Sequence, residues 1–163
     1  MKYLLIALLS ACSIGLNAQT QKITQLLNKQ FKKEQKMYDK FDDRKPTLTQ
    51  PYIISNDSLI YEISFINTES EGGRRNIRSA VHLKDINALT KDINILFQTS
   101  KDAINVTNKT YDAQGVLTKE ESGTTYLYFT ELSKEKENEK FRNQLLKAFE
   151  KSGYPIISEF WYD

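Results

Sequence analysis

Leu59-Ile60-Tyr61-Glu62-Ile63-Ser64-Phe65-Ile66 is the stretch that decides the fold. Leu59, Tyr61, Ile63 and Phe65 fall on one side of an extended chain and Ile60, Glu62, Ser64 and Ile66 on the other, so the segment reads as a strand with one strongly apolar and one mixed face. Asn56-Asp57-Ser58 before it reads as a turn back to Tyr52-Ile53-Ile54. Gly72-Gly73 supplies the next reversal, after which Ile77, Ser79, Val81 and Leu83 alternate with Arg78, Ala80, His82 and Lys84 in a second long strand. Strand signals resume at Ile93, Ile95 and Phe97, again over residues 103–111 with their β-branched Ile104, Val106, Thr107 and Thr110, and over 116–120 and 124–130. Asp112-Ala113-Gln114-Gly115 is a hairpin turn with Gly115 available for a positive φ, and Ser122-Gly123 reads as a turn or a bulge. Short connections favour antiparallel pairing, because parallel strands need longer crossovers.

Helical periodicity flanks the strands on both sides. Over residues 21–41, Ile23, Leu26, Leu27, Phe31, Met37, Tyr38 and Phe41 recur at helical spacing with Lys32, Lys33, Lys36 and Lys40 largely between them. Glu34 falls where the apolar stripe should continue, which predicts a helix partly exposed or frayed there. Asp42, Asp43, Pro46 and Pro51 then mark a linker. Asp85 is a candidate cap for a short helical turn containing Ile86 and Leu89. Ser133 is a candidate N-cap for a last helix, with Glu135 and Glu137 in its early turns and Phe141, Leu145, Ala148 and Phe149 on one face. Gly153 ends it, with Pro155 two residues on. Residues 154–162 are too apolar for a loose tail and predict an edge strand, or packing of Phe160 and Trp161 over the core. The sum is an α+β fold: a curved antiparallel sheet or partly open barrel of six to seven strands, with an N-terminal amphipathic helix and a C-terminal helix packing on the sheet.

Residues 1–18 read as an export leader. Lys2 supplies a positive start, 4–16 is an apolar run, and Leu16-Asn17-Ala18 offers a small residue at a cleavage point. The run is about 13 residues long, short of the roughly 20 that span a bilayer, so it reads as a removable segment. The organisation expected is thus a signal peptide over 1–18, a helix and linker over 19–51, and a sheet domain with C-terminal helix and terminal strand over 52–163. Leu9-Ser10-Ala11-Cys12 supports an alternative, since it resembles the lipobox of bacterial lipoproteins, in which the cysteine is lipidated. Cleavage after Ala18 uses the whole apolar run, whereas lipidation at Cys12 leaves a short one, which favours a periplasmic or secreted protein over a membrane-anchored lipoprotein.

Removing 18 of the 163 residues leaves 145, the length of one domain with one core. Cys12 is the only cysteine, so the mature chain has no disulfide, thiol nucleophile or thiolate metal site. The 23 Lys and Arg nearly cancel the 21 Asp and Glu, which gives no nucleic-acid footprint. Two basic clusters, residues 29–36 and Arg74-Arg75-Arg78, read most simply as solvated surface.

Val81-His82-Leu83-Lys84-Asp85-Ile86, followed by residues 92–97, resembles the strand, L-x-D-I turn, next strand passage of the pleckstrin-homology-like barrels. The resemblance covers roughly residues 52–151 and implies a curved antiparallel sheet closed by a C-terminal helix, serving as a lipid, peptide or protein binder. The N-terminal helix and the strand after Gly153 depart from that pattern and leave room for a cystatin-like or NTF2-like sheet wrapped around a helix.

Chemistry-bearing residues are sparse. His82 is the only histidine, which excludes a multi-histidine metal site and leaves one candidate general base, yet no G-x-S-x-G elbow points to a serine partner. Asp39, Asp42 and Asp43 lie at i, i+3 and i+4 without the spacing of a calcium loop. Glu69, Glu71, Glu120 and Glu121 offer an acid pair only if their separations permit. Tyr126, Tyr128, Phe129, Phe160, Trp161 and Tyr162 could stack against a sugar ring or a peptide, but strands in a small disulfide-free domain also need aromatics as core. Arg74, Arg75 and Arg78, with His82, are the candidate binding residues, suited to an anionic lipid or envelope polymer. No catalytic residue, metal or cofactor is expected. The reading is an exported, non-enzymatic module that binds a protein, peptide or envelope component and no nucleic acid, with membrane attachment only through Cys12; the alternative is a small periplasmic or secreted hydrolase using carboxylates or a Ser-His pair.

Overall fold

The computed structural model describes residues 19–39, 45–67, 72–136 and 138–162. Residues 1–18, expected to be an export leader and including Cys12, and Asp42, Asp43, Glu69 and Glu71 lie outside them. Within them the fold is α+β, with an N-terminal and a C-terminal helix against two unclosed sheets. Nine strands are described: β1 Thr47–Ser55, β2 Ser58–Asn67, β3 Gly73–His82, β4 Ile86–Lys91, β5 Ile95–Thr99, β6 Ile104–Tyr111, β7 Leu117–Thr125, β8 Leu127–Phe129 and β9 Ile157–Trp161. One sheet has the order β1-β2-β3-β6-β7 and is antiparallel throughout, and the other has the order β8-β5-β4-β9, with β9 parallel to β4.

The stretch that opened the sequence reading lies in β2, with Leu59, Tyr61 and Ile63 buried on one face. Asn56 and Asp57 take φ of 49° and 56°, the left-handed pair that a two-residue hairpin turn requires. Gly115, at φ 81°, donates to the Asp112 carbonyl at 3.0 Å and completes the β6–β7 turn. The expected linker is instead β1: Pro51 sits in an edge strand, where a missing N–H is tolerated. Two segments differ from the sequence expectation. Ile86 and Leu89 belong to β4, not to a helical turn; the turn is a short 3-10 helix, Leu83–Asp85, just before it. Ala88, Leu89, Thr90 and Lys91 are all buried, so a strand covered on both faces shows no period-two alternation. Gly123 marks no turn, because it stays paired with Val106 in the β6–β7 ladder, and the chain leaves that sheet only at Tyr126.

Helix α1 covers 19–34 of the described residues and ends in tightened turns, Lys36 N–H to Lys33 at 3.2 Å and Met37 N–H to Glu34 at 2.9 Å. Ile23, Leu26, Leu27 and Phe31 are buried, whereas Met37, past the helix end, is exposed. Glu34 is no frayed position: it is 2% exposed and accepts the Ser133 and Lys134 N–H groups at 2.8 Å each and Gln30 Nε2 at 2.8 Å. Those bonds, with the Glu135 carboxylate held by Gln30 and Lys33, tie 133–135 to α1. Helix α2 therefore starts later than the sequence suggests, over Glu139–Lys151 with Asn138 as N-cap. At its far end Gly153, φ 82°, donates to the Glu150 carbonyl and Tyr154 N–H to that of Phe149, both at 3.1 Å, a Schellman closure. Asn28 on α1 pairs with both the N–H and the C=O of Tyr52, at 3.0 and 2.8 Å, and so covers part of the free edge of β1.

One core joins these layers. Phe141, Leu145, Ala148 and Phe149 bury the expected face of α2, and the Phe149 ring meets Phe97 of β5 at 5.3 Å. The tail is an edge strand in which Trp161 is half-buried between Arg142 and Lys91, while Phe160 is exposed. No helix among the described residues is long and apolar enough to cross a membrane.

Candidate functional site

The inner face of the five-stranded sheet runs past the core on one side, and there it forms a cleft of about 460 Å³ against residues 127–131. Strand alternation assigns its walls. Tyr61 on β2, Arg75 and Ile77 on β3, Val106 and Asn108 on β6, and Glu121 and Gly123 on β7 share one face through the cross-strand register. Leu127, Phe129 and Glu131 close the opposite side. An apolar wall with a few convergent polar groups is the usual make-up of a ligand site.

The segment carrying Glu131 is held from below by two tyrosines. Tyr52 and Tyr61 stack at 4.9 Å, and Tyr128 meets Tyr61 edge-on at 5.4 Å. The Tyr61 hydroxyl donates to the Phe129 carbonyl at 2.7 Å and the Tyr52 hydroxyl to that of Thr130. Burial pushes the hydroxyl pKa of all three upward, so Tyr52 and Tyr61 remain protonated donors. Two successive carbonyls fixed in this way set the backbone of the next residue, and Glu131 stands at φ 54°. A non-glycine residue in the left-handed region costs of order 1–2 kcal/mol, and such strain gathers at functional sites. Burial also raises the Glu131 carboxyl above the usual carboxylate range, with Arg75 pulling it back. Among the described residues the carboxyl has no hydrogen bond or ion pair. A carboxyl of raised pKa beside a cation in an apolar-lined cleft is a candidate recognition or catalytic group.

The four residues nominated by sequence do not form one patch. Arg75 lies in the cleft and donates to Asn108 Oδ1 at 3.0 Å. Arg74 and Arg78, one residue to either side of that face, occupy the other side of β3: Arg74 covers the Tyr111 ring at 4.5 Å, and Arg78 lies in a shallow depression with Glu62 and Glu120. His82 ends β3, where its Nδ1 accepts the Lys84 N–H at 3.4 Å as the cap of the 3-10 turn. Of the acidic candidates, Glu121 lines the cleft and is bridged to Lys119 at 3.0 Å, while Glu120 points to the opposite face. Of the aromatics, Tyr128 is core and Phe129 is a cleft wall. Glu131 and Asn108 carry no local sequence signal. Among the described residues no three His, Cys, Asp or Glu side chains are placed to share a metal ion. Comparison of the chain with protein-family models, with curated proteins and with solved structures finds no match.

Proposed function

We propose that the protein is an exported, non-enzymatic binding module of the bacterial cell envelope, and that a protein, peptide or envelope component seats an apolar portion in the cleft of the five-stranded sheet. The observation that carries this reading is Glu131, strained, without a hydrogen bond or ion pair among the described residues, and sharing an apolar-lined cleft with Arg75. The leader at 1–18 supports export, and the likeness to pleckstrin-homology-like domains, which bind lipids, peptides or proteins, points the same way by analogy. Gly123 provides the test. A Cβ added there meets nothing within 4 Å, and the backbone is ordinary strand, so Gly123→Leu fills the cleft without strain. Anilinonaphthalene sulfonate, an apolar ring system with an anion for Arg75, is the probe. The variant should bind it about tenfold more weakly with an unchanged melting temperature. Equal binding by both proteins would remove the cleft from the reading. The mass of the mature N-terminus distinguishes cleavage after Ala18 from lipidation at Cys12.

One observation favours a second reading. Glu121 and Glu131 line the same cleft in different environments, the first bridged to Lys119 and the second raised in pKa by burial, which is how acid and base roles are separated in glycoside hydrolysis. Glycoside turnover that disappears in Glu131→Gln would replace the binding module by a hydrolase. A Ser-His mechanism has less support, since His82 is absent from the cleft lining and spends Nδ1 on a backbone amide.

A further inference from the structure

A second, separate groove lies between the two helices. It has a volume of about 660 Å³ and is lined by Lys22, Lys29 and Lys33 of α1, by Glu135 in the segment before α2, and by Asn138 and Lys140 at the start of α2. The three α1 lysines are spaced i, i+7 and i+11, which on a helix of 3.6 residues per turn places them within about 20° of one direction. Read along the sequence they look like scattered surface charge, and only the packing of α2 alongside turns that row into a wall. Four cations thus face one carboxylate. Lys33 already takes that carboxylate, and its hydrogen bond is the leading cause of the lowered Glu135 pKa. Lys22, Lys29 and Lys140 have no acidic partner among the described residues.

Asn138 supplies an independent observation. It is 4% exposed and occupies the N-cap position, yet its side chain makes no capping bond, and among the described residues neither its Oδ1 nor its Nδ2 has a partner. A buried carboxamide with both ends unpaired is uncommon and costs about 1–3 kcal/mol per group. Here it lines the groove at the end of α2, where first-turn N–H groups and the helix dipole favour negative charge. The acidic Glu139 on that first turn is exposed and outside the groove lining.

We propose that this groove is an oxyanion site, taking a phosphate- or sulfate-type group of more than one charge between Lys22, Lys29 and Lys140, with the Asn138 carboxamide as its buried hydrogen-bonding partner. The group can be carried by a free anion or by a lipid headgroup, and the chemistry that holds it is the same. The site does not depend on the reading of the sheet cleft.

The test uses the purified protein and two probes. In a nuclear magnetic resonance titration with inorganic pyrophosphate at low salt, saturable shifts are expected at the Asn138 side-chain amide and at the backbone amides of 139–141. Lys29→Gln with Lys140→Gln should weaken binding at least tenfold. Asn138→Leu, which removes the carboxamide at similar size without burying a charge, should do the same while leaving the melting temperature equal or higher, because neither end of that carboxamide has a partner among the described residues. In the second arm, phosphatidylglycerol vesicles are sedimented with the protein against phosphatidylcholine vesicles as control. Pyrophosphate binding without sedimentation supports a free anion as the source, and sedimentation lost in the same variants supports a headgroup. Binding unchanged in both variants, or absent with both probes, would overturn the proposal.

Discussion

Replacing Glu34 should be among the most damaging single changes in the molecule, although it removes no apolar contact. The carboxylate is buried and gathers two backbone amides and one side-chain amide at 2.8 Å each. Glu34→Ala leaves those donors behind. A buried donor without its acceptor costs about 1–3 kcal/mol, and Gln30 keeps a second acceptor in Glu135, so the loss is concentrated on the two amides of Ser133 and Lys134 and totals about 2–6 kcal/mol. For a domain of this size each kcal/mol moves the melting temperature by roughly 2–4 °C, which gives a fall of about 10 °C. Glu34→Gln is the informative companion: one oxygen, Oε2, holds both backbone amides, so a carboxamide that keeps its oxygen there retains them and turns its NH₂ only towards Gln30, which has Glu135 as a second acceptor, and most of the loss should be recovered. Urea unfolding followed by circular dichroism measures both. Hydrogen exchange at the Ser133 and Lys134 amides should accelerate first, since these are the groups set loose. An alanine variant within 1 kcal/mol of the wild type would show that the tie between α1 and residues 133–135 contributes nothing, and the account of why α2 starts at Glu139 would fall with it.

Glu131→Gln should change the pH dependence of stability. A carboxyl whose folded pKa is raised binds more protons folded than unfolded, so its contribution is full below the unfolded value and is lost as pH rises through the folded one. The wild type should lose urea resistance across that window and the glutamine variant should not; parallel curves would mean that Glu131 is not the group responsible. Tyr61→Phe removes the donor that holds the Phe129 carbonyl, at a cost of about 1–2 kcal/mol, and should weaken anilinonaphthalene sulfonate binding because the far wall of the cleft is no longer fixed. Loss of stability with unaltered probe binding would separate the tyrosine from the site. Asn28→Ala strips two hydrogen bonds from β1, costs about 1–2 kcal/mol and exposes more of that edge; light scattering should detect concentration-dependent association absent from the wild type.

What the sequence disclosed about the fold was whatever local periodicity encodes. The half-buried strand β2 and the apolar face of α2 each had one wet side, and alternation or helical spacing reported it directly. β4 did not, because burial on both faces erases the period, and neither the start of α2 nor the burial of Glu34 can be read locally. Ser133, followed by Glu135 and Glu137, is a reasonable helix start by itself. A glutamate 99 residues earlier binds the Ser133 amide instead, and long-range pairing prevails over local capping preference.

The same distinction explains why the residues of the candidate sites were only partly legible. Arg75 was visible as one of three nearby arginines, but the spacing of residues 74, 75 and 78 along a strand already forbids all three from sharing a face, and the period that identified the strand separates Arg75 from Arg74 and Arg78. Glu131 was invisible for a deeper reason. Its importance lies in a backbone torsion set by hydroxyls from β1 and β2, 70 residues or more earlier in the chain, and in an arginine on a third strand. The lysines of α1 fall between these cases. Their common direction follows from helical spacing alone, while the partner that gives it meaning, an unpaired Asn138 at the mouth of α2, exists only once the two helices lie side by side. Both candidate sites therefore sit where separate elements meet, at the sheet cleft and between the helices, and on the proposed readings substitutions that leave every strand and helix intact but alter those junctions should change binding before they change folding.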